Sequence, residues 1–140
     1  MLSYDQARDY TKAEEMIDRA LRLYPDNQVN IMQKAWFKYY DHKNLGLLVD
    51  ELMIIRNRYE DVNNWMTFNI ADALFRNRNY NLVIDELEKI NDPFNVGQNN
   101  YTPYKFIIGR AQELMGMKAK AKASYKSAAT MLEKELLINP

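Results

Sequence analysis

One pattern recurs along this chain and leaves few folds open to it. Small or apolar residues fall three or four apart at Tyr10, Ala13, Ile17, Ala20 and Leu21, which is the spacing of one helix face. Tyr24-Pro25-Asp26-Asn27 then stops the helix. The same pattern returns at Leu45, Leu48, Leu52 and Ile55, at Tyr80, Val83, Leu87 and Ile90, and at Lys118, Ala121, Tyr125 and Ala128. The first members of these copies stand 35, 35 and 38 residues apart. A sequence that repeats at a period of about 20–50 residues builds an array, because no single unit can bury its own apolar face.

Each of the last three copies has a second helical segment before it, about Gln28 to Asp41, Val62 to Asn77 and Pro103 to Gly116. Within these segments Ala35, Trp36 and Tyr39 align with Ile70, Ala71 and Leu74, and then with Ile108, Gly109 and Gln112. A small residue such as Ala71 or Gly109 lets two crossing helices approach closely. Trp36 departs from that rule, so the second unit is expected to pack more loosely or at a shifted angle. At the N-terminus there is room for only two turns of a leading helix, Met1 to Arg8. The last helix, Ala119 to Ile138, overruns its repeat and still carries Leu132, Leu136 and Leu137. Neither end reads as the polar cap that keeps a solenoid soluble. The expectation is a segment of a longer protein, or self-association through the terminal helices.

This pattern resembles the tetratricopeptide repeat (TPR) family. The likeness is strongest in Ile70-Ala71-Asp72-Ala73-Leu74-Phe75-Arg76-Asn77-Arg78-Asn79-Tyr80, running on to Ile90, and in the segment ending Tyr24-Pro25-Asp26-Asn27. Gly109, Gly116, Ala121, Tyr125 and Ala128 stand in matching columns of the last unit, while Trp36, Glu60 and Glu133 depart from the pattern. The resemblance implies an all-α fold, a right-handed α-solenoid of antiparallel helix pairs with about three and a half repeats. The units are a half repeat at 1–27 and repeats at 28–61, 62–96 and 97–140, together one domain. It also implies a non-catalytic protein–protein interaction module, whose leading helices line a concave groove.

Removing the packing positions from those helices leaves the groove candidates. They are Lys34, Phe37 and Tyr40, then Trp65, Phe68, Asn69, Asp72, Phe75 and Arg76, then Phe106 and Arg110. Aromatic rings rimmed by charge are the usual mark of an interaction site. The expected occupant is a peptide or segment of a partner protein. In one well-known use the family grips a chaperone carboxylate; only Asn69 matches that pattern, with Gln33, Phe37, Pro103 and Ile107 at the other columns. The alternative reading is a structural spacer or oligomerisation segment of a larger protein. A third is an accessory domain of an enzyme.

Composition narrows the rest. There is no cysteine and one histidine, His42, so thiolate chemistry is excluded and a zinc site is improbable. His42 reads as a solvated turn residue. No phosphate loop, paired-histidine motif or nucleophile elbow occurs, and neither an enzyme nor a cofactor is expected. Asp85, Glu86 and Glu88 read as carboxylates spread over a solvated helix face. Nineteen basic residues balance nineteen acidic ones, which gives no general attraction for nucleic acid or anionic lipid. The lysines at 118, 120, 122 and 126 read as spread around their helix. No run approaches the ~20 apolar residues that span a bilayer, and the start Met1-Leu2-Ser3-Tyr4-Asp5 lacks a secretory pattern. A cytoplasmic location is expected. The stretch Asn91 to Pro103, with Phe94, Tyr101 and a formal glycosylation sequon at Asn100, reads as an inserted loop.

Overall fold

A computed structural model describes residues 10–40, 44–90 and 103–138, apart from the side chains of 10, 40 and 63. The described residues form seven α-helices. We number them α1 (Tyr10–Leu23), α2 (Gln28–Tyr40), α3 (Leu45–Arg58), α4 (Trp65–Arg76), α5 (Tyr80–Glu88), α6 (Tyr104–Leu114) and α7 (Lys118–Ile138), with a 3-10 turn at Val62–Asn64 ahead of α4. The chain therefore folds as an all-helical array. It divides into two compact units between Glu60 and Asp61. The leading segment Met1 to Arg8, His42, and the loop residues Phe94, Asn100 and Tyr101 lie outside the described residues.

In the first unit α1 packs on α2 and α2 on α3. Ala13 and Ile17 of α1, Met32 and Ala35 of α2, and Leu48, Val49, Leu52 and Ile55 of α3 are buried. These are largely the residues spaced three and four apart in the sequence. Each large aliphatic side chain so buried contributes about 1.5–3 kcal/mol. The Tyr39 hydroxyl donates to Glu51 Oε2 at 2.8 Å, tying α2 to α3. Trp36, beside buried Ala35, stays half-buried.

In the second unit α4 packs on α5, α5 on α6, and α6 on α7. Its core is Met66, Ile70, Ala71, Ala73 and Leu74, then Val83 and Leu87, then Tyr104, Ile108 and Ala111, and finally Ala121 and Ala128. The start of α4 is held by Asp61, whose carboxylate accepts from the Met66 N–H at 2.7 Å and the Thr67 N–H at 3.0 Å, and also from the Thr67 hydroxyl. That satisfies amides which the first turn of a helix leaves without partners. The intervening turn requires Asn64 to adopt a left-handed conformation at φ 58°, which asparagine tolerates better than most residues.

The pairs α2–α3, α4–α5 and α6–α7 share one backbone hydrogen bond after the leading helix. The N–H of Asn44 donates to Tyr39 O, that of Asn79 to Leu74 O, and that of Met117 to Gln112 O, each reaching back five residues. Arg78 N donates to Phe75 O and Gly116 N to Glu113 O, completing a Schellman closure in the second and third hairpins. This closure needs a left-handed residue just before the last donor. Gly116 fills that place at φ 78°, whereas Arg78 fills it at φ 61° with a Cβ in the way. Arg78→Gly is therefore expected to raise unfolding free energy by up to ~1 kcal/mol. Gly116→Ala, with nothing near its Cβ to clash, is expected to lower it by about the same amount. Urea unfolding of both variants measures the pair.

The crossing of α6 and α7 depends on Gly109. A Cβ there would lie 2.8 Å from Cδ1 and Cε1 of the Tyr125 ring and 3.3 Å from Ser124 Cβ. In the preceding hairpin the same columns hold Ala71 and Leu87, so a slightly larger leading residue meets a smaller partner. Gly109→Ala is expected to destabilise the unit by about 1–3 kcal/mol. Adding Tyr125→Leu should recover a good part of that loss, because it recreates the Ala71–Leu87 pairing. A double-mutant cycle in denaturant reads the coupling.

Candidate functional site

The sequence-derived groove residues fall in both units, and each unit carries its own share. In the first unit Lys34 is exposed, and its ammonium pairs with Asp18 Oδ1 of α1 at 2.6 Å. Phe37 is half-buried on α2, while the side chain of Tyr40 lies outside the described residues. Lys38, on the same helix, sits over the Tyr39 ring at 4.8 Å. Its pKa is raised, first by its hydrogen bond to Tyr39 and then by the charge of Glu51.

The second unit brings more of the candidates together. On α4, the Asn69 side-chain amide donates to Trp65 O at 2.9 Å, and Arg76 Nε donates to Asp72 Oδ1 at 3.0 Å one turn away. Phe68 of α4 packs on Tyr104 of α6, centroids 4.6 Å apart. Phe75 meets Tyr80 of α5 edge-on at 5.3 Å and receives the Arg110 guanidinium of α6 over its ring at 5.5 Å. The α4 and α6 candidates are thus linked through Phe68–Tyr104 and Phe75–Arg110. Asp72, Arg76 and Arg110 remain exposed beside half-buried Trp65, Phe68 and Phe75.

Two expectations about these residues need correcting. The aromatic side chains are not a row of open rings: Phe37, Trp65, Phe68 and Phe75 are half-buried, and only Phe106, at 43% exposure, is open among the described candidates. Neighbouring helices lie close enough to cover most of each ring, a distance the spacing of apolar residues does not encode. Phe106 faces a different neighbour as well, lying 5.6 Å from the Tyr125 ring of α7.

Glu86 is also not part of a solvated face. It is 6% exposed, with Lys89 Nζ 3.2 Å from its Oε1. Its column in the other hairpins holds Glu51, which accepts from Tyr39, and Ser124, which donates to Gln112 Oε1 at 2.6 Å. On α4 the residue in the matching place is Leu74, so the second hairpin lacks that partner. Its place follows from the column it shares with Glu51 and Ser124, which bond to the leading helix of their own pair.

The pKa of Lys38 and that of Tyr125 both move upward, away from neutrality. Neither shift prepares a group for acid–base work near pH 7. No group of three or more His, Cys, Asp or Glu among the described residues is placed to hold a metal ion. No described helix is long and apolar enough to cross a membrane. A shallow depression lined by Arg78, Asn79, Tyr80, Leu82 and Met115 lies at the turns of the second unit.

Two solved structures of MamA share this architecture. One, MamA AMB-1, is 19% identical over 95% of this chain and 75% of that chain, with a TM-score of 0.66. The other is 16% identical over 91% and 71%, with a TM-score of 0.61. The fold is a TPR-like helical repeat. At these identities the likeness speaks to fold alone, and no family model and no curated protein matches the chain.

The Tyr125 hydroxyl donates to Glu113 Oε2, and that bond is the largest cause of its raised pKa. Partial burial and the Glu113 charge act in the same direction, and Arg110 opposes them. A raised phenol pKa means the bond contributes fully at neutral pH and is lost only as pH climbs through the shifted value. Glu113→Gln is therefore expected to lower the pH at which Tyr125 ionises. Ultraviolet titration, with Tyr125→Phe as the reference that isolates this ring, reads the change.

Proposed function

We propose that this protein is a non-catalytic interaction module that holds a peptide or partner segment against the α4 and α6 face of its second unit. The carrying observation is the mixture on that face: partly exposed Trp65, Phe68 and Phe75 beside exposed Asp72, Arg76 and Arg110. Partly covered rings offer apolar area already ordered by their neighbours, so a ligand need not fix them on binding. The Asp72–Arg76 pair is exposed on both sides, and such a pair is worth about 0.3–0.5 kcal/mol. Both groups can exchange each other for a ligand at little cost. Asn69, already bonded to Trp65 O, orients that edge of the face. Lys34 and Phe37 offer a smaller face on the first unit, and Tyr40, the third candidate there, has its side chain outside the described residues.

TPR-like folds serve many such roles, which makes a scaffold or adaptor consistent with the architecture while leaving the site to carry the argument. A spacer role remains the competing reading, favoured by exposed Leu132, Leu136 and Leu137 on α7.

The test is capture from the native source with the whole chain and with Arg76→Glu/Arg110→Glu. Both residues are exposed, so the variant should keep its far-ultraviolet circular dichroism and unfolding midpoint. Partners bound through this face should fall at least tenfold by quantitative mass spectrometry. If the same partners return at the same level, the α4–α6 face is not where they bind.

A further inference from the structure

Arg110 of α6 is held in place but not matched. Its guanidinium lies over the Phe75 ring of α4, 5.5 Å from the centroid, and Tyr80 of α5 braces that ring edge-on at 5.3 Å. A ring face attracts a cation but offers no lone pair to its N–H groups. Among the described residues Arg110 has no hydrogen bond and no ion pair. The carboxylates on the same two helices are engaged elsewhere. Asp72 accepts from Arg76 Nε at 3.0 Å, and Glu113, one turn along from Arg110, accepts from the Tyr125 hydroxyl of α7.

The repeat shows that this place is open by position. Shifting by 38 residues carries Asp72 onto Arg110 and Arg76 onto Leu114. Asp72 and Arg76 are exposed although the pair α6–α7 follows α4–α5. These columns face away from the next repeat, and the exposure of Arg110 and of Leu114, at 55%, belongs to their place in the unit. The charges here favour an anion: α4, α6 and the turn after α4 carry Arg76, Arg78, Lys105 and Arg110 against Asp72 and Glu113.

Apolar surface lies on both sides of Arg110. Phe68 meets Tyr104 near the start of α4 and α6, and Phe75 meets Arg110 near their ends. Half-buried Trp65 and Phe68 therefore stand on one side of the guanidinium, and Leu114, one turn further along α6, stands on the other. A segment that covers both crosses Arg110, and so presents a side chain to it and not a chain end.

We propose that Arg110 is the specificity-determining residue of the α4 and α6 face, and that it reads an aspartate or glutamate side chain within the bound segment. The inference rests on that face being the binding site. A guanidinium fork takes a carboxylate through two parallel N–H···O bonds, which an ammonium cannot reproduce. Phe75 is the positioning residue, because it holds the fork before the ligand arrives. Glu113, kept on Tyr125, leaves the fork to the ligand.

The probe is a phage-displayed library of random twelve-residue peptides, joined to the coat protein through their C-termini so that no terminal carboxylate is on offer. Selection on the whole chain should enrich peptides with an Asp or Glu between apolar residues. The most enriched one, synthesised with an amidated C-terminus, should bind saturably by fluorescence anisotropy. Arg110→Gln should weaken it at least tenfold, yet change binding of the same peptide with its acid replaced by the amide less than twofold. Arg110→Lys should recover only a minor part of the loss, and Phe75→Leu should weaken the acidic peptide more than the amide one, with circular dichroism confirming the fold of each variant. Enriched peptides that lose affinity on Trp65→Ala/Phe68→Ala, but lack an acid or ignore Arg110→Gln, overturn this inference and leave the binding face standing. If no peptide is enriched, or if the enriched ones ignore both changes, the binding face fails and the role of Arg110 fails with it.

Discussion

The three hairpin turns are the constraint on which the rest depends. Helices of nine to fourteen residues, such as α1 to α6, are at or below the length at which an isolated helix holds itself together in water. Each becomes stable only by laying its apolar side on a neighbour, and a turn of fixed geometry brings that neighbour back. The five-residue reach from Asn44, Asn79 and Met117 satisfies a carbonyl that would otherwise end the helix bare, and at Asn79 and Met117 the chain reverses within a few residues. Once reversal is fixed, the columns of the repeat face each other in register. That is why Tyr39 finds Glu51 and Gln112 finds Ser124 at the same separation in different hairpins.

Register in turn makes side-chain volumes interdependent. The leading helix contributes Ala71 or Gly109 where the following helix contributes Leu87 or Tyr125, and the larger partner goes with the smaller backbone neighbour. Trp36 opposite Leu52 breaks this trend by sequence. In the structure Trp36 stays half-buried while adjacent Ala35 is buried, so the ring is not forced into the crossing. Polar columns obey the same logic. Glu86 is buried in a column whose other members, Glu51 and Ser124, are half-buried and bonded to the leading helix of their own pair.

Helix positions were legible because they depend on local spacing. Ile17, Leu48, Leu52, Ile70, Leu74, Val83 and Leu87 are all buried, and each belongs to a run spaced three and four apart. The exposure of the candidate site was much less legible. Phe68 and Phe106 occupy one column and have the same chemistry, yet Phe68 is stacked on Tyr104 of α6 and Phe106 is open. A column assigns direction; it does not say whether anything is there to be met. The turn at Asn64 and the Asp61 cap were missed for a related reason. A single Asp several residues before an apolar run carries no periodic signal, and its role depends on a left-handed residue between them.

That distinction between direction and occupancy bears on what a repeat array can do. Inside an array, each column spends its chemistry on the neighbouring repeat, and a ligand is offered only what the neighbours leave uncovered. On the α4 and α6 face the remainder is the rim of partly covered rings together with Asp72, Arg76 and Arg110.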